Sequence, residues 1–151
     1  MQTKSHIIKI STLPINEIQP LIQKSTQEGF EFVERLSIEF QEGINQFNKP
    51  GEALFAAYAH TDLIAIGGLN QDPYVQKQKT GRVRHLYVLP DFRRQGIGKQ
   101  IMMLIISEAK KHFHLLTLRT FNPDADKFYR HLGFKTQPAI QHTSHHMTLT
   151  D

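Results

Sequence analysis

The chain has 151 residues, a length typical of one domain built around a single core. Its 18 lysines and arginines exceed its 14 aspartates and glutamates, and the formal net charge of +4 favours anionic partners. The absence of cysteine excludes a disulfide framework, a thiolate metal site and a cysteine nucleophile, and it suits a reducing cytoplasm.

The sequence carries no signal of a membrane protein or a nucleic-acid-binding protein. The N-terminus has no long apolar core before a small-residue cleavage site, and no apolar run approaches the roughly 18 residues of a spanning helix. The basic residues are scattered, apart from a small cluster at Arg82, Arg84, Arg93 and Arg94. We therefore expect a soluble cytoplasmic protein whose partners include neither a membrane nor a nucleic acid.

The first half of the chain predicts a strand, two helices and a β-hairpin. A β-branched run over residues 6–10 predicts the strand, and residues 13–40 predict two helices that meet near Gly29. Two apolar runs separated by a short polar turn predict the hairpin, over residues 53–59 and 63–69.

Three apolar residues recur at four-residue steps in the second predicted helix: Phe32, Leu36 and Phe40. An apolar face at helical spacing usually belongs to the core, so we expect this one to pack on a sheet. The alternative is a mobile lid over a substrate pocket, to which several nearby residues would belong: Gly29, Phe30, Phe47 and Pro50.

The second half predicts two strand-helix pairs and a terminal strand region. Proline cannot donate to a central strand ladder, and glycine commonly ends a helix, so both mark boundaries. The predicted elements are a strand over 82–89 ended by Pro90, a helix from Ile97 to about Lys110, a strand over 115–121, a helix over 125–132 ended by Gly133, and one or more strands from residue 134 that include 145–149.

The turn RRQGIG, residues 93–98, stands between a predicted strand and a predicted helix. The first turn of a helix leaves backbone N–H groups without partners, where a phosphate can bind. Gly96 and Gly98 let phosphate oxygens approach the backbone, and three cations add charge: Arg93, Arg94 and Lys99. An ordinary tight turn with solvated arginines is the alternative that spacing alone leaves open. The signatures of a dinucleotide fold and of a P-loop are absent.

Two blocks of sequence resemble the GNAT superfamily of N-acetyltransferases. LYVLPDFRRQGIG, residues 86–98, is similar to a strand ending in Val-x-Pro and the following signature of Arg or Gln, two residues, Gly, one residue, and Gly or Ala. LRTFNPDADKFYRHLGF, residues 118–134, is similar to the family's later strand, Asn-containing junction, short helix and Tyr-x-x-x-Gly-Phe ending. The resemblance implies one α/β domain of the α+β type over residues 1–151, with a mixed, mostly antiparallel sheet of six to seven strands and about four flanking helices.

The resemblance also implies acetyl-CoA as co-substrate and two groups of residues that bind it. Backbone amides of the turn would hold the pyrophosphate, with the Arg93 side chain assisting: Arg94, Gln95, Gly96, Ile97, Gly98 and Lys99. The main chain of a splayed strand would pair with the pantetheine arm at Leu86, Tyr87 and Val88. The side chains of Leu86 and Val88 are expected to be core.

Asn122 and Tyr129 each have two interpretations. By resemblance Asn122 contacts the cofactor, yet an asparagine before Pro123 is also a good helix cap. By resemblance Tyr129 is catalytic and protonates the departing thiolate, as a phenol can. A buried structural tyrosine would look the same in sequence.

The sequence leaves the general base undecided. Some relatives carry a glutamate near the start of the strand before the turn, where this chain has Arg82 and Arg84, which cannot accept a proton. His85, which could titrate near neutrality, is the candidate catalytic base, and Asp72 acting through a water, Glu52 or water itself are alternatives. For each of the three side chains a structural or solvated role is the favoured interpretation.

Arg84 bears on the choice of acceptor. Regular alternation of the strand would place Arg84 on the face opposite His85 and Tyr87, although a bulge would undo that arrangement. An arginine within the site would suit a substrate that carries a carboxylate or a phosphate.

Nine histidines do not amount to a predicted metal site. Three of them, His142, His145 and His146, fall within HTSHH, without a supporting pattern of acidic ligands. We expect surface or edge positions for them and no metal.

The expected function is an N-acetyltransferase that moves an acetyl group to a primary amine of a small molecule or peptide by direct attack in a ternary complex. Loops 41–52 and 70–80 would select the acceptor. The alternative is a catalytically weak acyl-CoA-binding sensor or interaction domain. A homodimer is left open.

Overall fold

The computed structural model of the protein describes residues 4–75, 79–136 and 139–149. A six-stranded sheet forms its centre, with strands β1 His6–Ile10, β2 Ala53–Ala59, β3 Asp62–Gln71, β4 Thr80–Val88, β5 Leu115–Leu118 and β6 His145–Thr148. The described helices are α1 Gln19–Gln27, α2 Phe32–Gln41, α3 Ile97–Lys110 and α4 Pro123–His131, with a 3-10 turn at Pro90–Phe92. The predicted α/β fold class is confirmed.

The strands lie across the sheet in chain order from β1 to β6. Neighbouring strands are antiparallel except β4 and β5, which are parallel. Parallel neighbours need a long crossover, and α3 lies within the one that joins β4 to β5. The sheet is therefore mixed and mostly antiparallel, as predicted.

Each face of the sheet carries its own apolar core. The buried face of α3, including Ile101 and Ile105, packs on one side. On the other side α1 and α2 pack over the sheet, where Leu36 is buried and Phe32 and Phe40 are partly buried. The predicted packing of the α2 stripe on the sheet is confirmed.

Several element boundaries differ from the predicted ones. α1 begins at Gln19 rather than near residue 13, because Pro20 is tolerated only in the first turn of a helix. β5 ends at Leu118 rather than at residue 121, because its pairing with β4 has already stopped. The last strand region comprises β6 and one further antiparallel bridge, between Lys135 and His146.

β4 and β5 separate part-way along β4. Their last paired residues are Arg82 and Thr117, but β4 runs on to Val88 and stays paired with β3. Leu89 N–H still donates to the Ile64 carbonyl at 2.9 Å. Successive N–H groups of an antiparallel strand point to opposite sides, so the main chain of Val88 faces the gap that β5 leaves.

β4 contains a β-bulge at His85, which has a left-handed φ of +62°. Gly68 pairs with Arg84 and Ile66 pairs with Tyr87, so β4 has one more residue than β3 between these pairs. Gly68 and Ile66 share a face of β3, and their partners therefore share that face too. The expectation that regular alternation separates Arg84 from Tyr87 is wrong because of this bulge.

Gly68 leaves no room for a side chain. An added Cβ would collide with the ring of Phe47, a core residue that is 6% exposed. We expect Gly68→Ala to lower the free energy of unfolding by about 1–3 kcal/mol, as overpacking does, in urea denaturation. Gly98→Ala is the matched control, because a Cβ there meets its nearest atoms at 3.6 Å. An equal loss in both variants would contradict the close approach of Phe47.

Candidate cofactor and acyl-transfer site

The first turn of α3 presents backbone N–H groups to an open space. Gln100 N–H donates to the Gly96 carbonyl at 2.9 Å and begins the helical ladder. The amides of Ile97, Gly98 and Lys99 precede it and have no acceptor within the helix. Gly96 has a φ of +83°, and an added Cβ would meet no atom within 4 Å. Helix-terminal donors beside an uncrowded glycine fit a phosphate group.

The turn is anchored on its inner side and exposed on its outer side. Ile97 is 2% exposed and packs into the core around α3, whereas Arg94, Gly96 and Lys99 are exposed. Arg94 also has a positive φ of +62°. The side chain of Gln95 donates to a carbonyl of the preceding 3-10 turn at 3.5 Å. The face of the turn that carries these amides is thus open to solvent at the end of β4.

The unpaired edge of β4 leads directly to this turn. The side chains of Leu86 and Val88 pack against the core around α3, as predicted, and Tyr87 packs on the opposite face. The main chain is therefore what β4 presents to the gap. The Val88 carbonyl accepts a hydrogen bond from Arg93 Nε at 2.9 Å.

The Arg93 side chain is bound to Glu28, a residue that the sequence did not single out. Arg93 donates to both carboxylate oxygens at 2.8 and 2.7 Å, and the Tyr87 hydroxyl donates to the same carboxylate. The hydrogen bonds from Arg93 lower the pKa of Glu28, while burial and then Glu28 raise the pKa of Tyr87. The guanidinium expected to assist the pyrophosphate therefore ties the end of α1 to the turn.

His85 is a buried, neutral histidine. Burial, and secondarily the charge of Arg84, lowers the pKa of His85 to about 3, so the expectation that it titrates near neutrality is wrong. Its Nδ1 lies 2.9 Å from the Phe32 carbonyl, which can only accept, so Nδ1 carries the proton. Its Nε2 keeps a lone pair to which no described residue donates.

Tyr129 lies on α4 and is 8% exposed. The centroid of its ring lies 5.1 Å from that of Phe128. Phe128 Cζ lies 3.6 Å from the position that a Cβ on Gly98 would occupy. α4 therefore approaches the start of α3. Burial alone raises the pKa of Tyr129, so the hydroxyl keeps its proton throughout the physiological pH range.

The profile of the acetyltransferase (GNAT) family matches residues 16–134. The chain belongs to this family. A proposed acetyltransferase from Exiguobacterium sp. 255-15 is 34% identical, with a TM-score of 0.85 over 96% of this chain and 93% of its own. A GNAT acetyltransferase from Staphylococcus aureus Mu50 shares the fold at 15% identity, with a TM-score of 0.73 over 97% and 100% of the two chains. An uncharacterized N-acetyltransferase, ycf52, of Gracilaria tenuistipitata var. liui is 42% identical over 50 residues, 32% of this chain and 27% of that protein.

In this GNAT domain Asn122 caps α4. Its side-chain oxygen accepts hydrogen bonds from the backbone N–H groups of Asp124 and Ala125, at 2.8 and 3.3 Å. The cap interpretation is confirmed. A contact with the cofactor would have to use the amide nitrogen of Asn122, because its oxygen is already engaged.

The two carboxylates considered as general bases stabilise loops of this GNAT domain. Asp72 is 6% exposed and accepts from four groups: Tyr74 N–H, Val75 N–H, the Arg82 guanidinium and the Thr117 hydroxyl. Glu52 accepts from the backbone N–H groups of Lys49 and Gln71. These contacts support structural roles for both. The expected acceptor loop over 70–80 includes residues 76–78, which lie outside the described residues.

His145 and His146 lie on the edge strand β6 but are buried, at 3% and 7% exposure. The predicted edge position of these two histidines is confirmed, but their side chains are not on the surface. His145 Nε2 lies 2.7 Å from Asp126 Oδ1, and its Nδ1 lies 2.7 Å from Ser144 Oγ, which joins β6 to α4. The described ranges contain no group of three or more potential metal ligands, and no described helix is long and apolar enough to span a membrane.

A pair of glycine variants tests whether the amides of residues 94–99 bind the pyrophosphate, an arrangement called the phosphate cradle below. Gly96 and Gly43 have similar φ values, +83° and +76°, and open space around the Cβ position. Leucine at either position carries a similar backbone strain, about 1–2 kcal/mol, but only at 96 does it enter the cradle. We expect Gly96→Leu to weaken CoA binding by roughly tenfold or more, with no change in Gly43→Leu, by isothermal titration calorimetry. Unchanged CoA affinity in Gly96→Leu would remove the cradle from the site.

Proposed function

We propose that this protein is an acetyl-CoA-dependent N-acetyltransferase that acetylates a primary amine of a small molecule or peptide in the cytoplasm. Membership of the GNAT family supports acyl transfer in general. The observation that carries the proposal is the continuity between the open edge of β4 and the first turn of α3. An extended molecule that ends in a diphosphate fits both parts, because a strand edge pairs with amides and a helix terminus binds anions.

Two stretches of main chain would hold acetyl-CoA. The amides of the turn would hold the pyrophosphate: Arg94, Gln95, Gly96, Ile97, Gly98 and Lys99. The open edge at Leu86, Tyr87 and Val88 would pair with the pantetheine arm. Arg93 would shape the turn through its hydrogen bonds to Glu28 and the Val88 carbonyl, in addition to assisting the pyrophosphate. The amide nitrogen of Asn122 would make a further contact with the cofactor.

In the transfer step the amine nitrogen bonds to the acyl carbon, the carbon–sulfur bond breaks, and the sulfur gains a proton. Tyr129 would donate that proton, because burial keeps its hydroxyl protonated. A backbone N–H of the open edge of β4 would donate to the acyl oxygen as negative charge develops there. The proton that the amine loses passes to water, and Tyr129 is reprotonated.

His85 would serve the acceptor side of the reaction through its unprotonated Nε2. With a pKa of about 3 the imidazole does not retain a proton at neutral pH. It would accept a hydrogen bond from the amine and direct the nitrogen lone pair. The acceptor amine must therefore arrive neutral or give its proton to water.

Amine-dependent release of CoA thiol tests the proposed function. We expect acetyl-CoA with a panel of small primary amines and amino-terminal peptides to give thiol and acetylated amine in equal amounts, measured by a thiol reagent and mass spectrometry. The rival function is a CoA-binding sensor, which the arginines at 82 and 84 favour because they stand where some relatives carry a glutamate base. Tight CoA binding without turnover of any amine would establish the sensor instead.

Tyr129→Phe tests the acid. Removing the hydroxyl should lower kcat by about 100-fold and leave the affinity for acetyl-CoA nearly unchanged, because the hydroxyl acts on the departing sulfur. Tyr58→Phe is the control, since the Tyr58 hydroxyl donates to Glu17 on the side of the sheet that carries α1 and α2. The values of kcat and KM are measured for both variants. An unchanged kcat in Tyr129→Phe would rule out Tyr129 as the general acid.

A further inference from the structure

Arg84 is a partly buried cation to which the described residues supply no carboxylate or other hydrogen-bond acceptor. Four of the other six arginines pair with a carboxylate: Arg35 with Glu31 at 3.6 Å, Arg82 with Asp72 at 3.4 Å, Arg93 with Glu28 at 2.7 Å and Arg130 with Asp126 at 2.8 Å. The remaining two, Arg94 and Arg119, are exposed to solvent, whereas Arg84 is partly buried. Partial burial of an unpaired charge is unfavourable. A ligand that brings an anionic group would relieve it.

Arg84 lies at the reactive end of the proposed site. Arg84 pairs with Gly68 and Val88 pairs with Ala65, three residues apart on β3. At about 3.3 Å per residue, Arg84 therefore lies about 10 Å from Val88, on the far side of the bulge from the phosphate cradle. The bulge places Arg84 on the face that it shares with Tyr87, the face covered by α1 and α2. This position suits a group that contacts the acceptor rather than the nucleotide part of CoA.

The neighbouring residue also lacks a partner. His85 Nε2 is buried and receives no hydrogen bond from any described residue. The imidazole packs edge-on against Phe47, with ring centroids 6.2 Å apart, so contact between a ligand and Nε2 would require neighbouring side chains to shift. Arg84 therefore lacks an anionic partner, and His85 Nε2 lacks a hydrogen-bond donor. A molecule with an anionic group and an N–H group would supply both.

We propose that the acceptor is an amine that also carries a carboxylate or a phosphate, and that Arg84 binds this anionic group. The inference rests on the proposed acetyltransferase function and assigns its substrate class. The planar guanidinium offers paired N–H donors to either anion. Arg84 would thereby fix the acceptor with its amine toward the bulge, next to the acyl group.

Matched amines test this assignment. Each pair differs only in the anion: β-alanine against β-alaninamide, and 2-aminoethyl phosphate against ethanolamine. We expect wild type to prefer the anionic member of at least one pair by about 10- to 100-fold in kcat/KM. The pair that shows the preference distinguishes carboxylate from phosphate.

Arg84→Gln should abolish this preference by lowering kcat/KM for the anionic amine to about that for its neutral partner, and Arg84→Lys should retain part of it. Arg35→Gln is the control. Arg35 lies on α2, is 52% exposed and already pairs with Glu31, and its charge also acts on His85. The preference should persist in Arg35→Gln, because long-range charge does not produce it.

Equal use of both members by wild type, or a preference that survives in Arg84→Gln, would overturn the assignment without touching the acetyltransferase proposal. If no amine is acetylated, the acetyltransferase proposal fails, and the same pairs are titrated calorimetrically into the CoA-saturated protein. Selective binding of an anionic amine that Arg84→Gln abolishes would still support recognition by Arg84. Equal binding by both proteins would overturn it.

Discussion

The separation of β4 from β5 is the constraint on which the proposed site depends. β4 must remain paired with β3 as far as Leu89, since that pairing holds it in the sheet. Its other edge loses its partner after Arg82, and unpaired amides and carbonyls need hydrogen-bond partners from elsewhere. α3 begins immediately beyond, with its own unpaired donors. An extended ligand with an anionic end satisfies both sets of groups at once.

Glu28 connects the helical layer formed by α1 and α2 to this open edge. Its carboxylate takes both donors of Arg93 and the Tyr87 hydroxyl. The folded-state pKa of Glu28 is lowered, so its contribution to stability is present above its ordinary pKa of 4.5 and is lost as the pH falls through the lowered value. At neutral pH the contact is complete. The turn therefore keeps its shape before any phosphate binds.

Local patterns predicted the fold well, and contacts distant in sequence escaped them. Gly96 marked the turn because the positive φ of +83° at this position favours glycine. Glu28 lies 65 positions from Arg93, and no local pattern links them. The bulge was equally hidden, because His85 rather than glycine occupies the left-handed position. Burial of His145 could not be inferred either, since its partner Asp126 belongs to another element.

The helical layer holds the open edge of β4 at both ends. At one end Glu28, at the end of α1, binds Arg93 and Tyr87; at the other the Phe32 carbonyl, at the start of α2, accepts from His85. The left-handed φ of His85 is unfavourable for a residue with a Cβ, and the bond to Phe32 helps to maintain it. A shift of α1 and α2 against β4 would therefore alter the turn and the bulge together, which would couple the proposed acceptor and cofactor sides through the strand they share.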